Sequence, residues 1–254
     1  MDCFENRFKV WREVGYLKVL LAFATMTCGL MFFFGFASEV VEGETRSADE
    51  WLLLILRDPK NLSRPLGPHW LMDAMVDLTS LGSATILTLV TAVTVVALLV
   101  AGRKCAGGIV FLTATLGAGL TAALKHSYSR PRPDVVPHLV NVTSESFPSG
   151  HSTMSALVYL TVGSLLASTA KSMRLKYFII SVSVFISLCV GISRVYLGVH
   201  YPSDVLAGWL FGTVWAVAAG LLARIFSSLG PAQIISAAVS AQAPAPFSSD
   251  AQPE

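Results

Sequence analysis

The chain has 254 residues, 54% of them hydrophobic and only 13% charged, and its mean hydropathy of +0.64 is too high for a soluble domain of ordinary makeup. A net charge of +2, scattered over turns rather than gathered in a stripe, gives no basis for binding nucleic acid. What remains is a polytopic membrane protein; its apolar runs are far too long for barrel strands, so the expected fold is all-α.

Six stretches are long enough to cross a hydrocarbon core, which needs about 20 mostly apolar residues per helix. They lie at roughly 17–38, 83–101, 105–124, 152–170, 175–193 and 205–227. The first follows Arg7, Lys9, Arg12 and Lys18 with no small-residue cleavage pattern, and it reads as a retained anchor. Residues 39–82 form the longest segment outside the spans, polar and acidic at first, then "WLLLILRD", which is too short to cross and suits the interface, with Trp51 at headgroup level. Small residues in "GAGLTAA" and the Gly208/Gly212 pair permit close helix packing. The chain therefore divides into a cytoplasmic N-terminus (1–16), a six-helix membrane domain (17–228) and a tail (229–254) rich in Ala, Pro, Ser and Gln, expected to be disordered.

The basic residues orient this bundle. The N-terminal cluster, Arg103–Lys104, the Lys171/Arg174/Lys176 turn and Arg224 all fall on one side, which the positive-inside rule makes cytoplasmic. Both termini are then cytoplasmic. The opposite face receives residues 39–82, the loop from Lys125 to His151 and the turn from Ser193 to Asp204. Cys3 and Cys105 fall on the cytoplasmic side while Cys28 and Cys189 sit within spans, so no structural disulfide is expected. Two glycosylation sequons, at Asn61 and Asn141, matter only in a eukaryotic host.

Three polar clusters meet at that outer face. In "KHSYSRPRP", Lys125 ends the third span and Arg132 follows between prolines that keep the chain extended. In "FPSGHSTMSALVYL", Pro148 and Gly150 make a turn, Ser149 can cap, and the fourth span begins near His151. The free N–H groups of that helix start suit a phosphate. In "SRVYLGVHYPSD", Arg194 closes the fifth span, Pro202 opens the sixth, and Asp204 near N3 can reach back toward His200.

Singly, each cluster has an ordinary explanation: Lys125 as a snorkelling helix-end lysine, Ser149 as an N-cap, Asp204 as a capping carboxylate. Jointly they set three cations, two histidines and a carboxylate at one membrane face, where ionisable groups are functional by default. The cations and the helix N-terminus suit a phosphoryl group. A carboxylate on one ring nitrogen of His200 would leave the other nitrogen's lone pair free to attack, and a second histidine supplies a separate acid. Arg130 and His126 stand beside the first cluster; Arg130 could touch a second phosphate or a lipid headgroup, but a solvated loop cation is the favoured reading, and both are left out of the site.

These residues resemble the type 2 phosphatidic acid phosphatases, a family that shares its site with glucose-6-phosphatase and the vanadium haloperoxidases. Lys125 through Arg132-Pro133 is similar to the family's K-x6-R-P, Pro148-Ser149-Gly150-His151 to its P-S-G-H, and Ser193-Arg194 through His200 to Asp204 to its S-R-x5-H-x3-D. The likeness covers roughly residues 70–225. It implies that His200 attacks phosphorus to form a phosphohistidine, that His151 protonates the leaving oxygen and that Asp204 orients His200. Lys125, Arg132 and Arg194, with Ser149 and the Gly150 N–H, would hold the phosphoryl oxygens. No metal or other cofactor is implied.

The resulting expectation is a lipid phosphatase of the inner (plasma) membrane, working on its outer face with lipid phosphates and the bilayer as partners. By resemblance to bacterial members, undecaprenyl pyrophosphate is favoured as substrate, followed by phosphatidic acid and phosphatidylglycerol phosphate. The alternatives are a phosphate- or lipid-binding or transport protein without chemistry, and a vanadate-dependent haloperoxidase-like enzyme. The intact His151, His200 and Asp204 argue against mere binding, and the known haloperoxidases are soluble.

Overall fold

A computed structural model describes residues 2–228; the tail expected to be disordered, 229–254, lies outside the described residues. The long helices are α1 (Asp2–Glu42), α5 (Lys104–Tyr128), α6 (Gly150–Thr169), α7 (Met173–Tyr196) and α8 (Pro202–Ser228). Each contains a stretch long and apolar enough to cross a membrane. The sixth crossing is a broken one: α3 (His69–Ser80) and α4 (Ala84–Val100) meet at a 46° bend and pass the test only as a pair. The expected all-α bundle of six spans is thus the observed architecture, with the second span longer at its start than the apolar run suggested.

The bend has an identifiable cause. Ser83 leaves helical geometry and caps α4 by accepting the Ile86 N–H, while Tyr159 of α6 donates to the Leu81 carbonyl at 2.8 Å. Polar groups released by the break are therefore satisfied inside the protein, as hydrocarbon requires.

The expected interfacial segment becomes α2 (Arg46–Leu54), followed by a short antiparallel hairpin of β1 (Arg57–Asp58) and β2 (Asn61–Pro65). Trp51 is exposed, whereas Leu53 and Asp49 are buried. One edge of α2 thus faces outward and the other packs on the bundle.

Helices in lipid gain little from hydrophobic association and rely on close contact. A β-carbon placed on Gly208 would lie 2.9 Å from the Ser149 carbonyl oxygen and 3.0 Å from Ser152 Cβ, and one on Gly212 would strike the Thr153 carbonyl. One on Gly117 would meet Leu157 of α6 and Trp215 of α8. The small residues read as packing surfaces do that work, seating α6 directly on α8. Phe147, just before α6, is fully buried among Phe33, Ala37 and Val40 of α1 and Ala207 and Phe211 of α8. Its apolar anchor fixes the loop that leads into the Pro-Ser-Gly-His turn.

Candidate active site

In this antiparallel arrangement the C-termini of α5 and α7 and the N-termini of α6 and α8 lie at one end of the bundle. All three sequence clusters are consequently brought together there. A β-carbon on Gly150 would lie 3.4 Å from Lys125 Cε, so the lysine lies against the Pro-Ser-Gly-His turn. Lys125 Nζ donates to the Glu145 carbonyl. Lys125, Arg132 and Arg194 are all close enough to act electrostatically on His151, and Arg132 and Arg194 on His200.

The local folding of each piece follows from its residues. α7 ends in a Schellman turn: the Gly198 N–H donates to the Val195 carbonyl at 2.9 Å and the Val199 N–H to that of Arg194 at 3.2 Å. Gly198 takes φ +73, and a β-carbon there would lie 2.6 Å from Arg57 Nη2, so both conformation and space demand glycine. Pro202 opens α8 as expected, and Asp204 reaches back to accept the Tyr201 N–H at 2.9 Å. Between these two helix ends stands His200.

The imidazole is 2% exposed and its two nitrogens face different groups. Nδ1 lies 3.4 Å from Asp204 Oδ2 and 3.4 Å from Ser146 Oγ; Nε2 lies 3.3 Å from Arg132 Nη1. Burial pushes its pKa down to about 3, against the opposing pull of Asp204, with Arg132 and Arg194 adding to the lowering. The ring is neutral at physiological pH, with one side toward a carboxylate and the other toward a phosphate-binding type of cation. Ser146 Oγ also donates to Asp204 Oδ2, so that carboxylate oxygen is held by three neighbours.

Arg132 is fixed by backbone oxygens: Nε donates to the Ser144 carbonyl at 2.7 Å and Nη1 to that of Val199 at 2.6 Å. Burial lowers its pKa while Asp204 and Glu145 oppose the shift, and the guanidinium remains a cation. Arg194 is 3% exposed; Nη1 donates to Thr79 Oγ1 at 2.9 Å, and its buried Nε has no hydrogen-bond partner among the described residues. A buried guanidinium N–H without an acceptor is costly unless a ligand supplies one.

Ser149 proves to be the N-cap of α6. It is fully buried, accepts from the Ser152 N–H at 3.4 Å and from the Ser152 hydroxyl at 2.9 Å, and donates its own N–H to the Asp204 carbonyl at 3.0 Å. Gly150 and His151 follow as the first helical residues, whose N–H groups have no partner within the helix.

Several site residues escaped the sequence reading. Thr79, which orients Arg194, and Gly82, where a β-carbon would lie 3.2 Å from His151 Cβ, both belong to the α3–α4 break. The only trace of that role in sequence is the Ser-Leu-Gly-Ser interruption at 80–83. Ser146 also lay outside the three clusters. Arg130 requires a correction, because it is not a solvated loop cation: its side chain is 11% exposed and paired with both Asp204 and Asp49. The loop folds back over the start of α8, which no local sequence signal announces. His126 is exposed. Among the described residues no cluster of three or more His, Cys, Asp or Glu side chains is placed to share a metal ion.

A six-span bundle that gathers two histidines, a carboxylate and several cations at one end defines a membrane-embedded phosphatase, and comparison with known proteins agrees. The PAP2 superfamily model matches residues 106–226. Phosphatidylglycerophosphatase B from Bacillus subtilis is 32% identical over 72% of this chain and 86% of its own. A lipid A 1-phosphatase from Rhizobium johnstonii is 34% identical over 49% of each chain. An undecaprenyl-diphosphatase from Sulfolobus acidocaldarius is 38% identical over 28% of this chain and 30% of its own. The crystal structure of a transmembrane PAP2 type phosphatidylglycerolphosphate phosphatase from Bacillus subtilis superposes with a TM-score of 0.68 at 28% identity, covering 81% of this chain and 96% of that one. The chain belongs to the PAP2 superfamily. It is a multi-pass membrane lipid phosphatase of that metal-independent class.

Proposed function

We propose that the protein hydrolyses the terminal phosphate of a lipid phosphate monoester or pyrophosphate through a phosphohistidine on His200. The observation that carries this reading is the split environment of His200, with Nδ1 toward Asp204 and Nε2 toward Arg132. In this reading Nε2 attacks phosphorus, the bond to the leaving oxygen breaks, and His151 supplies the proton that oxygen needs. Asp204 stabilises the positive charge that grows on the ring. Water, deprotonated by the same His151, then attacks the phosphohistidine, releases phosphate and restores both histidines.

Lys125, Arg132 and Arg194 meet the three equatorial oxygens, joined by the Ser149 hydroxyl and the Gly150 N–H. The unpartnered Nε of Arg194 gains an acceptor in that arrangement. For the substrate, the candidates are undecaprenyl pyrophosphate, phosphatidylglycerol phosphate and phosphatidic acid. The first is favoured by resemblance; the second is brought forward by the relative matched over most of its length.

The decisive assay compares kcat/KM of the purified protein on these three lipids and on a soluble phosphate ester. A lipid substrate should lead by orders of magnitude, His200→Ala should abolish release, and an alkaline denaturing quench of the wild type, which spares the acid-labile N–P bond, should trap phosphate on His200. Full activity of His200→Ala would remove the mechanism.

A further inference from the structure

We propose that Arg130 and Asp49 are positioning residues for the nucleophile, acting through Asp204; the inference rests on His200 being that nucleophile. Arg130 leaves the loop after α5 and spreads its guanidinium over the segment that carries His200. Nη1 donates to Asp204 Oδ1 and, at 2.9 Å, to Ser203 Oγ. Nη2 donates to Asp49 Oδ2 at 3.0 Å, and the group stacks 4.4 Å from the centre of the Tyr201 ring.

Asp49, on α2, completes the arrangement. It is 3% exposed, accepts the Ser203 N–H at 2.9 Å and the Ser203 hydroxyl, and also takes the Thr45 hydroxyl at 3.1 Å. A carboxylate against the first turn of α8 is favoured by the helix dipole as well as by these bonds. The chain Asp49–Arg130–Asp204–His200 therefore runs from the outer segment into the site. It gives residues 43–54 a function that their amphipathic pattern alone did not indicate.

The chemical consequence follows from which oxygen each partner holds. Arg130 pins Oδ1, so that Oδ2 stays turned toward His200 Nδ1 and keeps that nitrogen the protonated one. The lone pair then remains on Nε2, toward the phosphoryl site. A planar fork can hold Asp204, Ser203 and Asp49 together; an ammonium group cannot. Arg130 also tempers the negative charge that Asp204 exerts on the ring. The groups facing His200 are Asp204 from α8, Arg194 from α7, and Arg132 and Ser146 from the loop. Removing Arg130 leaves Asp204 freer to turn and more strongly negative at the imidazole, which then protonates more readily.

The test uses the full chain in detergent with phosphatidic acid in mixed micelles, comparing Arg130→Gln, Arg130→Lys, Asp49→Asn and the Arg130→Gln/Asp49→Asn double variant. Arg130→Gln should lower kcat on the order of 10- to 100-fold, the scale of a misplaced reacting group. Its KM should stay within about two-fold, since no ground-state contact is lost. The acid limb of its kcat/KM profile should move to higher pH. Arg130→Lys should recover part of the loss, and the double variant should be no worse than Arg130→Gln, because both changes break one chain. If Arg130→Gln does not fold, the near-isosteric Asp49→Asn and the charge-retaining Arg130→Lys carry the same readouts.

Wild-type kcat in the folded variants, or a loss confined to KM with an unmoved acid limb, overturns the positioning role. His200→Ala separates the two levels of the argument. If it retains activity, the nucleophile assignment falls and this inference with it; if it is dead while the Arg130 and Asp49 variants are unimpaired, only this inference falls.

Discussion

His200 stands between Tyr196, the last residue of α7, and Pro202, the first of α8, and its burial decides how it behaves. The folded imidazole titrates near 3 against 6.5 for an ordinary histidine. Between those values the unfolded chain binds the extra proton, so stability from this group is complete above about 6.5 and is lost as pH falls toward 3. The apparent melting temperature in detergent should therefore drop between pH 7 and pH 4, and His200→Gln should flatten that part of the profile. An unchanged slope in the variant would assign the acid sensitivity to other groups. At the same scale, Asp204→Asn keeps the shape but hands Nδ1 the wrong partner. Loss of the orienting carboxylate in a histidine-based site costs as much as about 10⁴ in kcat, and a fall of several orders of magnitude with the fold intact is the expected result.

The helices set what those residues can reach. The α3–α4 bend brings Thr79 to Arg194 and Gly82 to His151. Thr79→Val keeps volume yet removes the acceptor of a buried guanidinium, a bond worth about 1.5–3 kcal/mol. The expected outcome is roughly a ten-fold or greater loss in kcat/KM, measured beside an unaltered circular dichroism spectrum. Between α6 and α8 the constraint is space. Gly212→Val would drive its side chain into the Thr153 backbone, with overpacking costs of about 1–3 kcal/mol. Its apparent melting temperature should fall, whereas Gly35→Ala, whose β-carbon meets nothing within 4 Å, should leave it unmoved. Equal behaviour of the two variants would refute the close α6–α8 contact.

Across the whole molecule, the site end and the basic end are opposite one another. Arg103 and Lys104 lie at the α4–α5 turn and Lys171, Arg174 and Lys176 at the α6–α7 turn, both away from His200. We propose, from the positive-inside rule, that the site faces the extracytoplasmic leaflet; a reporter fused after α8 should then read cytoplasmic. A periplasmic signal from that fusion would invert the assignment.

The spans were legible because a bilayer imposes a length and an apolar composition on each helix, and both are local properties that a sequence displays directly. The polar cluster behind the proposed chemistry was legible for a related reason. Lys125, His151, Arg194 and His200 sit at span ends, where polar residues in so apolar a chain stand out, and antiparallel crossing sends those ends to one face. What no segment displayed was contact across the fold. Asp49 and Arg130 are separated by some eighty residues, and their pairing at the start of α8 exists only once α2 and the loop fold over it. Thr79 and Gly82 likewise gain meaning only when a bent span leans on α6 and α7. The sequence by itself determined the membrane bundle and which polar groups its span ends bring to one face. Tertiary structure decided which oxygen faces which nitrogen, because orientation depends on neighbours that the chain supplies from far away.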